Sequence, residues 1–215
     1  MKKHHLLGTL SENIVEQLKI MILNLKDPNN HDKFQRIEFN EQLINYLKTI
    51  IISDLEVQKN VDNMGTRWIQ KAFFSSPDYV YPIHRDGLKC RSALNIIVDC
   101  NPDDWTRWYI DSAVDEQTKK MITIEKSNGI SSRETDLPRD IIETLEYDDQ
   151  FHGKPGDVYL INVDSFHTWY CSGPNDRIVI QTKFRGYPTF DNLIELFVDK
   201  FTDSNFINGL QKSAG

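Results

Sequence analysis

The chain has little of what marks several protein classes. Three cysteines, Cys90, Cys100 and Cys171, make an odd number with no CxxC spacing in 215 residues. That argues against a thiolate zinc centre and a disulfide framework, and it fits a reducing compartment. There is no block of lysines or arginines, and the net charge is −7. Generic attachment to a phosphate backbone is therefore disfavoured, which makes nucleic acid the less favoured partner. No apolar run approaches a membrane span, and the opening MKKHHLLGTLSEN turns polar too soon for a signal-peptide core. A soluble, cytoplasmic protein is expected. Internal repeats and low-complexity tracts are absent too, which removes solenoids and propellers.

What is there builds one core. A hydrophobic fraction of 39% over this length suits a single domain spanning 1–215. In SENIVEQLKIMILNLK, Ile14, Leu18, Ile22 and Leu25 recur at helical spacing behind an N-cap at Ser11, and Asp27-Pro28 ends the run. A second helix is expected in NEQLINYLKTIIISDL, capped by Asn40, with Leu43, Leu47 and Ile50 on one face. These form a helical N-terminal layer over 1–67, expected to cover a sheet. The terminus with His4 and His5 is expected to be mobile.

From about Trp68 the pattern changes to short β-branched and aromatic runs between Gly, Pro, Asn and Asp turns. The runs RWIQKAFF, YVYPIHR, SALNIIVD, TRWYID, MITIEK, DVYLINV, HTWYC and RIVIQTKF predict a sandwich or barrel over 68–186. Segment 111–150 reads as a solvated excursion with a short helix around DLPRDIIETLEY. A closing helix in TFDNLIELFVDKF, with Leu193, Leu196, Phe197 and Phe201, belongs to 187–215, and QKSAG frays.

The chemistry gathers in YVYPIHRDGLKC. Side chains alternate along a strand, so His84 and Asp86 project to one side and Arg85 to the other. An imidazole and a carboxylate thus enter one space. A metal needs at least a third protein ligand, and the chain has six histidines. His4 and His5 are terminal, His31 sits in the polar PNNHDKF loop, and His152 precedes a Pro-Gly turn. His167, at the start of HTWYC, is the best third ligand. Two histidines and a carboxylate with open positions form the triad of non-haem Fe(II) oxygenases. Arg177 follows His167 by ten residues and begins an otherwise apolar strand. If it points inward it needs an anion, and a guanidinium suits a carboxylate.

These residues resemble the Fe(II)- and 2-oxoglutarate-dependent oxygenases over roughly 68–186. The resemblance rests on His84 and Asp86 as HxD, His167 after KPGDVYLIN, and Arg177 ten residues on. It implies a mainly β, double-stranded β-helix (jelly-roll, cupin-like) core with N-terminal helices on the sheet and a C-terminal helix. It also implies Fe(II) held by His84, Asp86 and His167, with Arg177 pairing the far carboxylate of 2-oxoglutarate. O2 would be the other cosubstrate, and hydroxylation with release of succinate and CO2 the outcome. HTWYCSGPNDRIVIQTKF is similar to the aspartyl/asparaginyl hydroxylase branch. Halogenating relatives lack the carboxylate ligand, so Asp86 argues against halogenation. Many members carry Ser or Thr two residues after the arginine, where this chain has Val179. A further contact to the cosubstrate must then come from elsewhere, with Asn95, Tyr109 and Tyr81 as candidates. The alkylation-repair demethylases carry two arginines at a short fixed spacing, whereas Arg177 and Arg185 stand farther apart.

Plainer readings compete. His167 at a strand end can be held by a backbone carbonyl, and Arg177 can make a surface ion pair with Asp176 or Asp164, worth little. Trp105, Trp108 and Tyr109 are either a substrate wall or core-facing aromatics, the commoner case. HRD also opens the protein-kinase catalytic loop, but position 91 is Arg rather than Asn, and a Gly-rich loop and DFG are missing. The substrate expected is a small molecule or a protein side chain. The rival reading is a cupin-like barrel that binds a metal or ligand without catalysis, and a weaker one is a β-sandwich interaction module.

Overall fold

In the computed structural model, residues 2–51, 67–86, 91–114, 133–135, 139–185 and 189–201 are described. Their strands form two antiparallel sheets. The first has the order β1 (His4–Thr9), β10 (Asp157–Asn162), β6 (Ser92–Asp99), β12 (Arg177–Arg185), β3 (Arg67–Ser75) and β2 (Phe34–Glu38). The second runs β8 (Arg133–Thr135), β5 (Ile83–Arg85), β11 (His167–Cys171), β7 (Trp105–Tyr109) and β9 (Tyr147–Phe151), and β4 (Tyr79–Val80) also pairs with β11. Four helices are described: α1 (Glu12–Leu25), α2 (Glu41–Ile51), α3 (Arg139–Thr144) and α4 (Phe190–Phe201). None of the described helices is long and apolar enough to cross a membrane.

Strand alternation sorts the apolar residues into layers. Leu94, Ile96 and Val98 of β6, Val158 and Leu160 of β10, and Ile178 and Ile180 of β12 face outward. There they meet Ile14, Leu18 and Ile22 of α1, Leu43 and Leu47 of α2, and Leu193 and Phe197 of α4. The alternate residues Ala93, Ile97, Tyr159, Ile161 and Val179 face the second sheet and pack on Trp108 and Phe151. A third cluster, with Ile83, Trp105, Tyr109, Phe166 and Tyr170, lies on the far side of the second sheet against Ile142 of α3. The space between the sheets therefore receives every second residue of β6, β12, β11 and β7.

The helical spacing of α1 explains its contact: Ile14, Leu18 and Ile22 are four apart and buried, whereas Leu25 is exposed at 39%. Asn40 caps α2, its side-chain oxygen accepting from the Leu43 amide at 2.9 Å. Leu18 is fully buried, so Leu18→Ala is expected to cost about 2–5 kcal/mol, read as a lower urea midpoint at unchanged slope.

Four strands were not anticipated. β1 occupies the segment expected to be mobile, paired along β10 and tied at Asp149, which accepts from the Lys3 amide at 2.6 Å and binds His4 Nδ1 at 2.9 Å. His4 is thus inside, its ring 5.0 Å from Phe151 and 5.8 Å from Trp108. β2 adds a second strand to the N-terminal segment, which is therefore not purely helical. β8 and β9 emerge from the charged segment 111–150. All four are edge strands, short or rich in charge, which is how edges are kept from pairing with other chains and why they read poorly as strands. MITIEK, Cys90 and QKSAG lie outside the described residues.

Candidate active site

β11 lies between β5 and β7, and the register puts His167 opposite His84 on one side and Trp108 on the other. The two imidazoles adjoin, with ring centroids 4.1 Å apart and planes at 48°. Each is fixed by the carbonyl two residues before it: His84 Nδ1 lies 3.1 Å from the Pro82 oxygen and His167 Nδ1 lies 2.8 Å from the Ser165 oxygen. A carbonyl only accepts, so Nδ1 carries the proton and Nε2 keeps its lone pair. The backbone cap on His167 is thus real, and it is also what prepares a histidine to be a ligand. Burial, reinforced by the neighbouring His167, pushes the His84 pKa down to about 3, and burial lowers His167 as well. Both rings are neutral at pH 7.

Asp86 follows β5 directly, its amide donating to the Val163 carbonyl at 2.9 Å. Its carboxylate is almost fully buried and meets Lys183 Nζ of β12 at 2.6 Å. Burial alone would favour the neutral acid, but the Lys183 ammonium leads the charges that reverse this and hold Asp86 ionised. Arg85 points the other way, toward Asp164 at 3.7 Å and the Phe166 ring. The expected alternation of His84, Arg85 and Asp86 is what the strand displays. Among the described residues no three His, Cys, Asp or Glu side chains close around one point as a bound ion requires, and Asp86 is paired with Lys183. The donor set itself, two neutral imidazoles and an ionised carboxylate, suits Fe(II).

Arg177 begins β12 and is 6% exposed. It shares the inward face of that strand with Val179, Gln181 and Lys183, since alternate residues point alike. Its Nη2 donates to Thr106 Oγ1 at 3.2 Å, and its guanidinium lies 6.0 Å from the centre of the Trp169 ring. No carboxylate among the described residues pairs with it. Asp164, one of the surface partners weighed from sequence, is turned to Arg85 and Arg91 instead. Burial lowers its pKa, and the charge of Asp104, beyond ion-pair distance, only partly opposes this.

The turn before Arg177 is tied to the turn before β7. Asn101 donates from Nδ2 to the Asn175 carbonyl at 2.8 Å and accepts from the Asn175 amide at 3.1 Å. Asp104 accepts from the amides of Asn101 at 3.0 Å and Ser172 at 2.7 Å. Gly173 lets these segments approach, since a Cβ there would stand 2.3 Å from Asn101 Oδ1. Gly173→Ala is expected to cost about 1–3 kcal/mol by overpacking, measured by urea unfolding.

Asn95 lies on β6 opposite Tyr159 and Gln181, on the inward face, and its side-chain oxygen is buried without a hydrogen-bond partner among the described residues. Tyr81 also borders the site, stacked on Trp169 at 3.9 Å with its ring 4.8 Å from His84. Tyr109 does not. It alternates with inward Trp108, faces the cluster under α3, and its hydroxyl reaches the Ile142 carbonyl at 3.5 Å, so it cannot touch a ligand between the sheets. Trp105 faces that same outer cluster, and Trp108 is an inward core residue whose indole donates to the Asn162 carbonyl at 2.6 Å. Thr106, Trp169, Asn101 and Lys183 were missed from sequence. Even spacing from Arg177 along one strand marks Lys183, and even spacing from His167 marks Trp169.

Two antiparallel sheets face to face, in this strand order, define a class of fold with known members. The crystal structure of HygX from Streptomyces hygroscopicus with nickel and 2-oxoglutarate bound shares it at TM-score 0.54 and 13% identity, over 86% of this chain and 83% of that one. A 2OG-Fe(II) oxygenase family oxidoreductase from Burkholderia pseudomallei shares it at TM-score 0.51 and 9% identity, over 82% and 79%. The viral collagen prolyl hydroxylase of Paramecium Bursaria Chlorella virus-1, a 2-oxoglutarate complex, does so at TM-score 0.50 and 10% identity, over 86% and 96%. The chain therefore has the fold of these oxygenases. No family model matches it, and no curated protein resembles it in sequence.

Proposed function

We propose that the protein is an Fe(II)- and 2-oxoglutarate-dependent dioxygenase that hydroxylates a protein side chain, an amino acid or another small metabolite. The observation that carries this is the place of Arg177. Its guanidinium touches Thr106, which lies two residues from Trp108, the partner of His167. Thr106 and Trp108 share the inward face of β7, so Arg177 and His167 look into one space between the sheets, where the guanidinium can face one carboxylate of a dicarboxylate whose other end is at the imidazoles. A buried cation with no ion-pair partner among the described residues fits a 2-oxoglutarate carboxylate, and the orphaned oxygen of Asn95 is a further polar group facing the same space.

In this reading His84, Asp86 and His167 hold Fe(II), which supplies O2 activation coupled to oxidative decarboxylation of the oxoacid. The chain's own part is positional. The Pro82 and Ser165 carbonyls keep Nε2 of both rings free to bind, Arg177 and Thr106 would orient the far carboxylate, and the Trp169 and Tyr81 rings stand beside His84. The whole chain acts as one domain, with 68–186 as its catalytic core.

The test is anaerobic calorimetry with 2-oxoglutarate, with and without Mn(II) as a redox-inert stand-in for Fe(II). Binding of 2-oxoglutarate that requires the metal is expected. Folded protein that takes up neither would leave a non-catalytic barrel.

A further inference from the structure

Among the described residues between the sheets, Lys183 is a charged group that the oxygenase reading leaves unused. It stands six residues after Arg177 on the same inward face of β12, so the two cations lie along one line of the strand. Its ammonium is 2.6 Å from Asp86 and close enough to His84 and His167 to act on both electrostatically. Its side chain is 25% exposed, whereas that of Asp86 is 8% exposed. The partner that can move is therefore the long, partly solvated lysine.

The consequence is a competition. A divalent ion bound by His84, Asp86 and His167 would draw on the carboxylate that Lys183 now holds, and would place two positive charges beside the ammonium. The ammonium must then give up its contact or gain an anion. A carboxylate arriving at the metal is such an anion, and Lys183 is already on the face from which Arg177 reaches the other end.

We propose that Lys183 is a second anion-binding residue of this site, which holds Asp86 in the ligand-free protein and passes to the carboxylate of the oxoacid nearest the metal. Metal and 2-oxoglutarate binding then depend on one another through this side chain. The proposal rests on the oxygenase reading and goes beyond it, because chelation of the metal by the oxoacid does not require a lysine.

The experiment is calorimetry on the native protein, Lys183→Met and Lys183→Arg, titrating Mn(II) alone and then 2-oxoglutarate into the Mn(II)-loaded protein under nitrogen. Removing the competing ammonium is expected to tighten Mn(II) binding about tenfold in Lys183→Met and to weaken 2-oxoglutarate about tenfold. Lys183→Arg should keep the native order of both. Because the methionine variant leaves Asp86 buried with neither a cation nor a hydrogen-bond donor, Lys183→Gln, which keeps an N–H donor, serves as a second neutral variant with the same expected directions. Equal or weaker Mn(II) binding in folded neutral variants overturns the proposal, as does an unchanged affinity for 2-oxoglutarate. If the native protein binds both ligands and the variants couple them equally, only this inference fails. If the native protein binds neither, the oxygenase reading fails and takes the inference with it.

Discussion

An Arg177→Met protein is expected to lose 2-oxoglutarate affinity by more than about 100-fold while binding Mn(II) as the native protein does. A guanidinium facing a carboxylate makes charge-assisted hydrogen bonds worth about 1.5–3 kcal/mol each, and a two-pronged pair supplies two of them. Arg177 stands at the far end of the site from the imidazoles, against Thr106 and Trp169, so its removal spares the metal ligands. The same substitution has a second, opposite signature. In the ligand-free protein Arg177 is a buried cation with no carboxylate partner among the described residues, and methionine fills much of the same volume without that charge. Replacing such a group by an apolar one is neutral or stabilising. Ligand-free Arg177→Met should therefore melt no lower than the native protein, and the native protein alone should gain stability from 2-oxoglutarate with metal. A variant that melts well below native would mean that Arg177 is a structural residue. Arg177→Lys separates charge from shape: it keeps the cation but loses the planar fork, so an intermediate affinity is expected.

How much of this was legible in the sequence follows from where each signal resides. The metal-ligand candidates announced themselves because strand alternation is local: His84 and Asp86 had to share a face whatever the tertiary structure, and the structure has them doing so beside His167. The apolar spacing of α1 was equally local, apart from Leu25, which the end of the helix leaves in solvent. Tyr109 failed because the choice between the two faces of β7 is global. Period two says that Trp108 and Tyr109 differ, but only the neighbouring strands say which one looks inward. Lys183 and Thr106 were missed for the related reason that a polar residue beside other polar residues in a strand, as in Gln181-Thr182-Lys183 and Thr106-Arg107, reads as an edge or a surface position until its partner is known. β1 could not be seen because its six residues carry a glycine and two histidines, and their strand character comes from pairing with β10 rather than from propensity.

The second large effect concerns the imidazoles. Native protein heated in Mn(II) at about 100 times its dissociation constant should gain about 2.7 kcal/mol, because the ion binds the folded state and not the unfolded chain. For a chain of this length that corresponds to a rise of about 5–10 °C in Tm. His84→Ala is expected to abolish the rise, and His167→Ala to do the same. Each removes one of two neutral rings whose Nε2 is kept free by the backbone, so the loss of metal affinity should exceed the 10–100-fold typical of changes in the residues that merely support ligands. His152→Ala is the control, since that histidine is exposed and bonded only to its neighbour Gln150 on the surface. The comparison separates a site from a coincidence. If Mn(II) raises Tm equally in native protein and in both ring deletions, the ion binds elsewhere, and the adjoining histidines are core residues satisfied by the carbonyls of Pro82 and Ser165. If the rise disappears with either ring and persists without His152, the pairing of β5 with β11 is what builds the metal site, because that register alone brings His84 and His167 together.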